Sequence, residues 1–165
     1  MNKIAFLDRD GVINHDVGYI WDKKDFKWID GAKEAIKLLK KNGYKVIVIT
    51  NQSGIGKKLY TKKQVDKLHQ WINKTLEVNI GKKIDAFYIC PHIDEDDCGC
   101  RKPKTGLFLS AIFDNNPINT GASFMIGDRD RDMQAAFAAG IKGYKFEGGN
   151  LLEFIQENVK GVKNE

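Results

Sequence analysis

Apolar residues along the chain fall into two rhythms that alternate from one end to the other. Short unbroken runs, Lys3–Leu7 (KIAFL), Lys45–Thr50 (KVIVIT), Asp85–Cys90 (DAFYIC) and Ala122–Gly127 (ASFMIG), read as strands buried on both faces, and Gly143–Phe146 reads as a fifth. Between them, Ala32, Ala35, Ile36 and Leu39 recur at i, i+3, i+4 and i+7, which predicts a helix with Asp30 as its N-cap and Gly43 just past its end. Thr61-Lys62-Lys63-Gln64 is a capping-box pattern; it opens a longer helix whose inner face uses Val65, Leu68, Ile72 and Leu76. Trp71 is expected to pack on that helix, and His69 to lie on its solvated side. Shorter helices are expected over Gly106–Asp114, Arg131–Ala139 and Leu151–Val159. Strands alternating with helices predict an α/β chain: a Rossmann-like parallel sheet with right-handed crossovers and helices on both faces, in one domain over residues 1–165. The stretch from Gly11 to Asn51 has room for a loop and one helix. No large cap domain is expected, and specificity should sit in rim loops.

In such sheets ligands bind at the carboxyl ends of the strands. Each of the four clear strands runs into a polar cluster there: Asp8-Arg9-Asp10-Gly11, Asn51-Gln52-Ser53-Gly54, Cys90-Pro91-His92 and Asp128-Arg129-Asp130. Asp8 and Asp10 are two apart, so on extended backbone both point to the same side. Burying two like charges is costly unless a cation or a reaction uses them. Phosphoryl transfer would use them, one carboxylate attacking phosphorus while the other gives and takes a proton. The run Asp128-Arg129-Asp130-Arg131-Asp132 places acids at positions 1, 3 and 5 of a calcium loop. Met133 and Ala139 stand where such a loop needs its glycine and its bidentate glutamate. Magnesium, which takes few carboxylates, fits better.

Composition narrows the class. With 42% apolar and 30% charged residues the chain reads as a soluble globular protein, and no stretch approaches the roughly 20 apolar residues of a membrane span. Asp8 interrupts the first apolar run, which argues against a signal peptide and for a cytoplasmic protein. The net charge is +5, from 27 basic and 22 acidic residues, and only Arg9, Arg101, Arg129 and Arg131 are arginines. All four lie within the acidic or cysteine-rich motifs, where a planar guanidinium suits phosphate and carboxylate. Lys57, Lys58, Lys62, Lys63 and Lys67 could line a nucleic-acid face, but they read as a solvated helix side. The acidic cluster would also repel a nucleic-acid backbone. A monomer acting on a small anionic substrate, without a nucleic-acid or membrane partner, is expected. Cys90, His92, Cys98 and Cys100 put four soft ligands within eleven residues. Three Cys and one His make a saturated, structural zinc set, though the spacings are tighter than the usual C-x₂-C; three free thiols beside a histidine are the other reading.

Phe6-Leu7-Asp8-Arg9-Asp10-Gly11 resembles the first motif of the haloacid dehalogenase superfamily of aspartate-nucleophile phosphatases. The resemblance implies Asp8 as nucleophile and Asp10 as general acid/base. Val46–Thr50 followed by Asn51 resembles the second motif, implying that Thr50 and Asn51 hydrogen-bond the transferring phosphoryl group, with backbone N–H groups of Gln52 and Ser53 beside them. Lys102 matches the family lysine that neutralises phosphate and nucleophile. Gly127–Asp132 resembles the fourth motif, implying catalytic magnesium on Asp8, Asp128 and the backbone carbonyl of Asp10, with Asp132 orienting the site from behind. Cys90-Pro-His92…Cys98-Gly-Cys100-Arg101-Lys102-Pro103 resembles the zinc-loop subgroup shared by D-glycero-D-manno-heptose-1,7-bisphosphate 7-phosphatases and histidinol-phosphatases. It implies a structural zinc over residues 90–100 that presents Arg101 and Lys102. Asp16-Val-Gly-Tyr19-Ile, with Asn51-Gln-Ser53-Gly54-Ile55, resembles the heptose enzymes over nearly the whole chain. In them the first loop binds sugar hydroxyls and the distal phosphate, which here means Asp16, Gly18 and Tyr19; Arg101 would take the remaining anionic part and Arg129 adds a cation. Two departures stand out: the cysteine loop is short, as in histidinol-phosphatases, and Arg129 replaces the lysine usual in heptose enzymes. The implied activity is magnesium-dependent hydrolysis through an aspartyl-phosphate, removing the 7-phosphate of D-glycero-D-manno-heptose 1,7-bisphosphate to give the 1-phosphate; a histidinol-phosphate phosphatase is the alternative, and a nucleic-acid 3′-phosphatase or a zinc-stabilised nucleic-acid-binding module is the second.

Overall fold

The computed structural model describes residues 1–164. Its elements are β1 (Ile4–Leu7), α1 (Ala32–Lys41), β2 (Lys45–Asn51), a single helical turn α2 (Ser53–Gly56), α3 (Lys62–Ile80), β3 (Ala86–Cys90), α4 (Gly106–Asp114), β4 (Phe124–Gly127), α5 (Asp130–Ala138), β5 (Lys142–Lys145) and α6 (Leu151–Asn158). The strands form one five-stranded sheet in the order β3-β2-β1-β4-β5, with every pair parallel. β1 is central: Leu7 is opposite Val48 of β2 and Ile126 of β4. From β1 the chain winds one way to β2 and β3 and then back to β4 and β5. The carboxyl ends of β1 and β4 therefore flank the switch point where such sheets open a crevice.

The alternation of side chains along each strand builds two cores. Ala5, Leu7, Val46 and Val48 point to the layer of α1, α3 and α6, packing with Ile36, Leu39, Leu68, Ile72 and Ile155. Ile4, Phe6, Ile47 and Ile49 point to the layer of α4 and α5, packing with Phe108, Ala111, Ala135 and Ala136. Every residue of β1 is buried, as an apolar run without alternation requires.

Helix α3 starts as its sequence predicts. Thr61 Oγ1 accepts from Gln64 N–H at 3.1 Å, and Gln64 Oε1 accepts from Thr61 N–H at 2.9 Å. Three expectations change. The N-cap of α1 is Gly31, in the left-handed region at φ 76°, and not Asp30. Asp30 gives its carbonyl to the N–H of Leu151 on α6 (2.8 Å), and a Cβ at Gly31 would overlap the Asn150 side chain, so close helix–helix approach decides that position. His69 is buried, not solvated: its ring stacks on Phe87 of β3, with centroids 4.1 Å apart. The fifth strand runs Lys142–Lys145, slightly ahead of the segment expected for it.

Candidate active site

Asp8 follows β1 directly and Asp128 follows β4, so the central strand pair ends in two acids. Parallel pairing continues one step further through Asp8 N–H to Ile126 O (3.0 Å). Gly11, at φ 89°, folds the chain back over them, and a Cβ there would overlap the Asp128 carboxylate. Asp132, on the first turn of α5, reaches the same point and is fully buried, its Oδ2 accepting from Arg129 N–H at 3.1 Å. Carboxylate oxygens of Asp8, Asp128 and Asp132 all lie within 4.8 Å of one another. Against three acids the protein sets one buried cation: Lys102 Nζ is 3.0 Å from Asp8 Oδ1 and 2.7 Å from Asp132 Oδ1, and donates to Ile49 O at 2.8 Å.

That single ammonium does not neutralise the cluster. Burial pushes the Asp8 carboxyl up to about 8; Lys102 pulls against this, and the charges of Asp132 and Asp10 add to it. Asp128 is raised as well, by burial and then by Asp132. Burial works to lower Lys102, but the two carboxylates outweigh it and the ammonium is held above its usual range. Asp128 Oδ1 is buried and finds no partner among the described residues. Hard oxygen donors with surplus negative charge and an orphaned carboxylate oxygen fit a magnesium ion.

Asp10 sits beside this cluster as the acceptor of a second network. Arg9 Nη2 donates to it at 2.9 Å, Asn14 Nδ2 at 2.9 Å and Gln52 Nε2 at 3.0 Å. Gln52 is buried, bonded also to Thr50 Oγ1 (2.9 Å) and to the Tyr60 hydroxyl, which donates to its Oε1 at 2.7 Å. Thr50, at the end of β2, is buried behind the residues that line the cleft, and its oxygen accepts from Gln52. Two residues at this strand end are arranged differently from the expectation. The Asn51 side chain is tied to the Lys102 backbone through Lys102 N–H to Oδ1 (3.0 Å) and Nδ2 to Lys102 O (3.2 Å), so it fixes the lysine loop. The Gln52 N–H is used by Cys90 O (2.8 Å) and is not free for a phosphate.

A cleft of about 340 Å³ opens above these groups, lined by Asp8, Asp10, Asn51, Gln52, Ser53, Lys102 and Asp128 at its base. Its rim holds Asp16, Gly18 and Tyr19 on one side and Arg101, Arg129 and Arg131 on the other. Asp16 Oδ1 accepts from Gly18 N–H (3.1 Å) and its Oδ2 is 3.4 Å from Arg129 Nη2, which joins the two rims. Arg101 donates to Asp94 at 2.6 Å. Lys57 and Tyr60 also line the cleft and were not singled out by sequence as site residues; Lys57 Nζ donates to the Tyr19 hydroxyl at 2.6 Å. The signal available was the Ser53–Gly56 turn, too short to carry Lys57 away from the strand end it follows.

Immediately outside β3, the thiols of Cys90, Cys98 and Cys100 and the ring of His92 converge, with ligand atoms all within 4.8 Å of one another and no disulfide. Cys98 Sγ is 3.6 Å from Cys90 Sγ and 3.7 Å from Cys100 Sγ, near the about 3.8 Å between sulfurs bound tetrahedrally at about 2.3 Å from zinc, while Cys90 Sγ and Cys100 Sγ stand closer together, at 2.7 Å. Burial opposes ionisation of the Cys98 thiol, but the Arg101 and Cys100 N–H groups outweigh it and bring it down to about 6. The donor set fits zinc, and Arg101 and Lys102 leave the cluster directly after its last sulfur.

Comparison with known proteins shows the family. The family model described as Polynucleotide kinase 3 phosphatase matches residues 3–142. The D-glycero-beta-D-manno-heptose-1,7-bisphosphate 7-phosphatase of Helicobacter pylori is 45% identical over 159 residues, covering 96% of this chain and 87% of that protein. The enzyme of the same name from Pasteurella multocida is 43% identical over 148 residues, covering 86% and 79%. Among solved structures, D,D-heptose 1.7-bisphosphate phosphatase from B. bronchiseptica, complexed with magnesium and phosphate, superposes with a TM-score of 0.78 at 30% identity, covering 98% of this chain and 90% of that one. Matched over nearly its whole length, the chain belongs to the phosphatase family of that model and, within the haloacid dehalogenase superfamily, to the D-glycero-beta-D-manno-heptose-1,7-bisphosphate 7-phosphatases.

Proposed function

We propose that the protein removes the 7-phosphate of D-glycero-beta-D-manno-heptose 1,7-bisphosphate, leaving the 1-phosphate, through an aspartyl-phosphate on Asp8. The observation that carries this reading is the pairing of a buried, lysine-braced carboxylate with a second carboxylate two residues on, at the base of a cleft whose rim bears three arginines. Asp8 Oδ1 accepts from Arg9 N–H (2.9 Å) and from Lys102, which fixes the carboxylate plane and assigns attack to Oδ2. As the P–O bond to the sugar breaks, Asp10 gives its proton to the departing C7 oxygen. Asp10 then takes a proton from the water that attacks phosphorus, releasing inorganic phosphate and restoring Asp8. Thr50 donates its hydroxyl to a phosphoryl oxygen, and Lys102 balances charge on the nucleophile and the phosphoryl group. Magnesium, held by Asp8, Asp128 and the backbone carbonyl of Asp10, would supply charge neutralisation that lets two anions approach.

Arg101 and Arg129 are assigned to the distal phosphate, and Asp16, Gly18 and Tyr19 to the sugar hydroxyls. A structural zinc on Cys90, His92, Cys98 and Cys100 would hold the loop that delivers Arg101 and Lys102. The ligand cluster of three thiols suits a reducing compartment, in line with a cytoplasmic monomer. The test is phosphate release with magnesium from the heptose bisphosphate, histidinol phosphate and a 3′-phosphorylated oligonucleotide. A preference of at least about a hundredfold in kcat/KM for the bisphosphate is expected; an equal or greater value for either competitor would overturn the assignment.

A further inference from the structure

Arg9 is fully buried, and its guanidinium is spent on three partners from three parts of the chain. Nε and Nη2 donate to Asp10 Oδ1 at 3.2 and 2.9 Å, Nη2 donates to Ile20 O at 2.8 Å, and Nη1 lies 3.2 Å from His69 Nε2. A guanidinium has no free lone pair with which to accept, so His69 Nε2 is the acceptor and the imidazole proton resides on Nδ1. Nδ1 is buried without a partner among the described residues. The ring stays neutral: burial, and then the Arg9 charge, push its pKa down to about 3. Packing alone does not account for an imidazole here. A phenyl ring would stack on Phe87 equally well and would bury no orphaned N–H. What the imidazole adds is the acceptor that fixes the third edge of the guanidinium.

We propose that His69 is a positioning residue that, through Arg9, holds Asp10 in the orientation in which it protonates the leaving oxygen, and that the same guanidinium ties this carboxylate to the substrate loop at Ile20. The geometry is a fork with one tine in each body. The Asp10 tine reaches the reacting group, the Ile20 tine follows Tyr19 on the cleft rim, and the His69 tine is anchored on α3, the longest helix. Without the His69 anchor the guanidinium can rotate about its remaining partners, and Asp10 turns with it. Asn14 and Gln52 would still hold the carboxylate in the cleft, so the loss is one of aim. This inference rests on Asp10 being the acid/base.

The experiment compares kcat/KM, which reports steps up to formation of the aspartyl-phosphate, on two esters. The heptose bisphosphate has a poor alkoxide leaving group that needs the proton from Asp10; 4-nitrophenyl phosphate leaves without one. His69→Phe should lower kcat/KM for the heptose bisphosphate by about tenfold, a fraction of the roughly 10²–10⁴ that acid–base chemistry supplies, and change it less than about twofold for the aryl ester. His69→Gln, which returns an acceptor oxygen, should restore most of the loss. Should His69→Phe not fold, His69→Met, which keeps bulk without a strong acceptor, makes the same comparison. Equal losses on both esters, or no difference between the Phe and Gln variants, would refute the positioning role. Asp10→Asn serves as the reference: if it too spares the heptose bisphosphate, the acid/base reading itself fails, whereas an impaired Asp10→Asn beside an unimpaired His69→Phe refutes only the proposal made here.

Discussion

Two clusters of metal-type ligands stand at the carboxyl ends of strands of one sheet, and they are held in place by opposite means. The carboxylates of Asp8 and Asp128 extend directly from β1 and β4, and Asp132 and Lys102, both buried, brace them. Sheet pairing and two cores fix that geometry before any ion is considered. The sulfur cluster has only Cys90 on a strand; His92, Cys98 and Cys100 lie partly exposed on a loop whose one regular piece is a single 3-10 turn, Asp94–Asp96. Where the first cluster is a product of the fold, the second is a place where the fold is unfinished and a bound ion would complete it. Removing a ligand should therefore damage chemistry in one region and structure in the other.

The largest expected effect is at Asp8. Asp8→Asn should reduce phosphate release by at least about a thousandfold while the melting temperature stays near that of the wild type, because the change removes a buried charge without a cavity and Lys102 keeps Asp132. Measuring turnover and thermal unfolding together checks it, and substantial turnover by the variant would break the comparison at its catalytic end. Cys98→Ser should do the reverse. We expect loss of bound zinc by elemental analysis and a melting temperature lower by about 5–10 °C, equivalent to about 2–3 kcal/mol at this size, with a smaller fall in kcat. If the stability is unchanged while activity disappears, the loop is not a staple.

The smallest effect sharpens the claim that the cleft is braced by the protein's own groups. His69 has its pKa lowered to about 3, so between that value and its ordinary 6.5 the unfolded chain binds a proton that the folded one does not. Its contribution is fully present above pH 6.5 and is lost as pH falls toward 3. The stability of the wild type relative to His69→Phe should thus decline below pH 6.5, by at most about 1.4 kcal/mol per pH unit, as read by denaturant unfolding at several pH values. A flat difference would mean that the imidazole is not held neutral.

Where partners are close in sequence, the sequence shows them. The existence and order of the strands, the Thr61–Gln64 cap and the polar strand ends follow from local pattern, because each depends on residues within a few positions. His69 was read as solvated from its polarity alone, although it lies four residues after Val65 and three before Ile72 on the buried stripe. Its hydrogen-bond partner is 60 residues away, and no local pattern points to Arg9. Asn51 is similar: the strand end is legible, but the side chain's attachment to Lys102 spans 51 positions. At Asp30 and Gly31 the cap was decided by Asn150 and Leu151, more than a hundred residues on. Pattern reveals what a segment is, and long-range pairing decides which way its polar side chains turn.

The ammonium shared between Asp8 and Asp132 has a consequence across successive turnovers. In the proposed reaction Asp8 becomes an acyl phosphate, so the charge facing Lys102 moves from the carboxylate to the phosphoryl oxygens and back again. Asp132 has no assigned step in that reaction and gives Lys102 a second, constant counter-ion. The cation can remain stationary while the charge it faces is redistributed, and each cycle begins from the same electrostatic setting as the last.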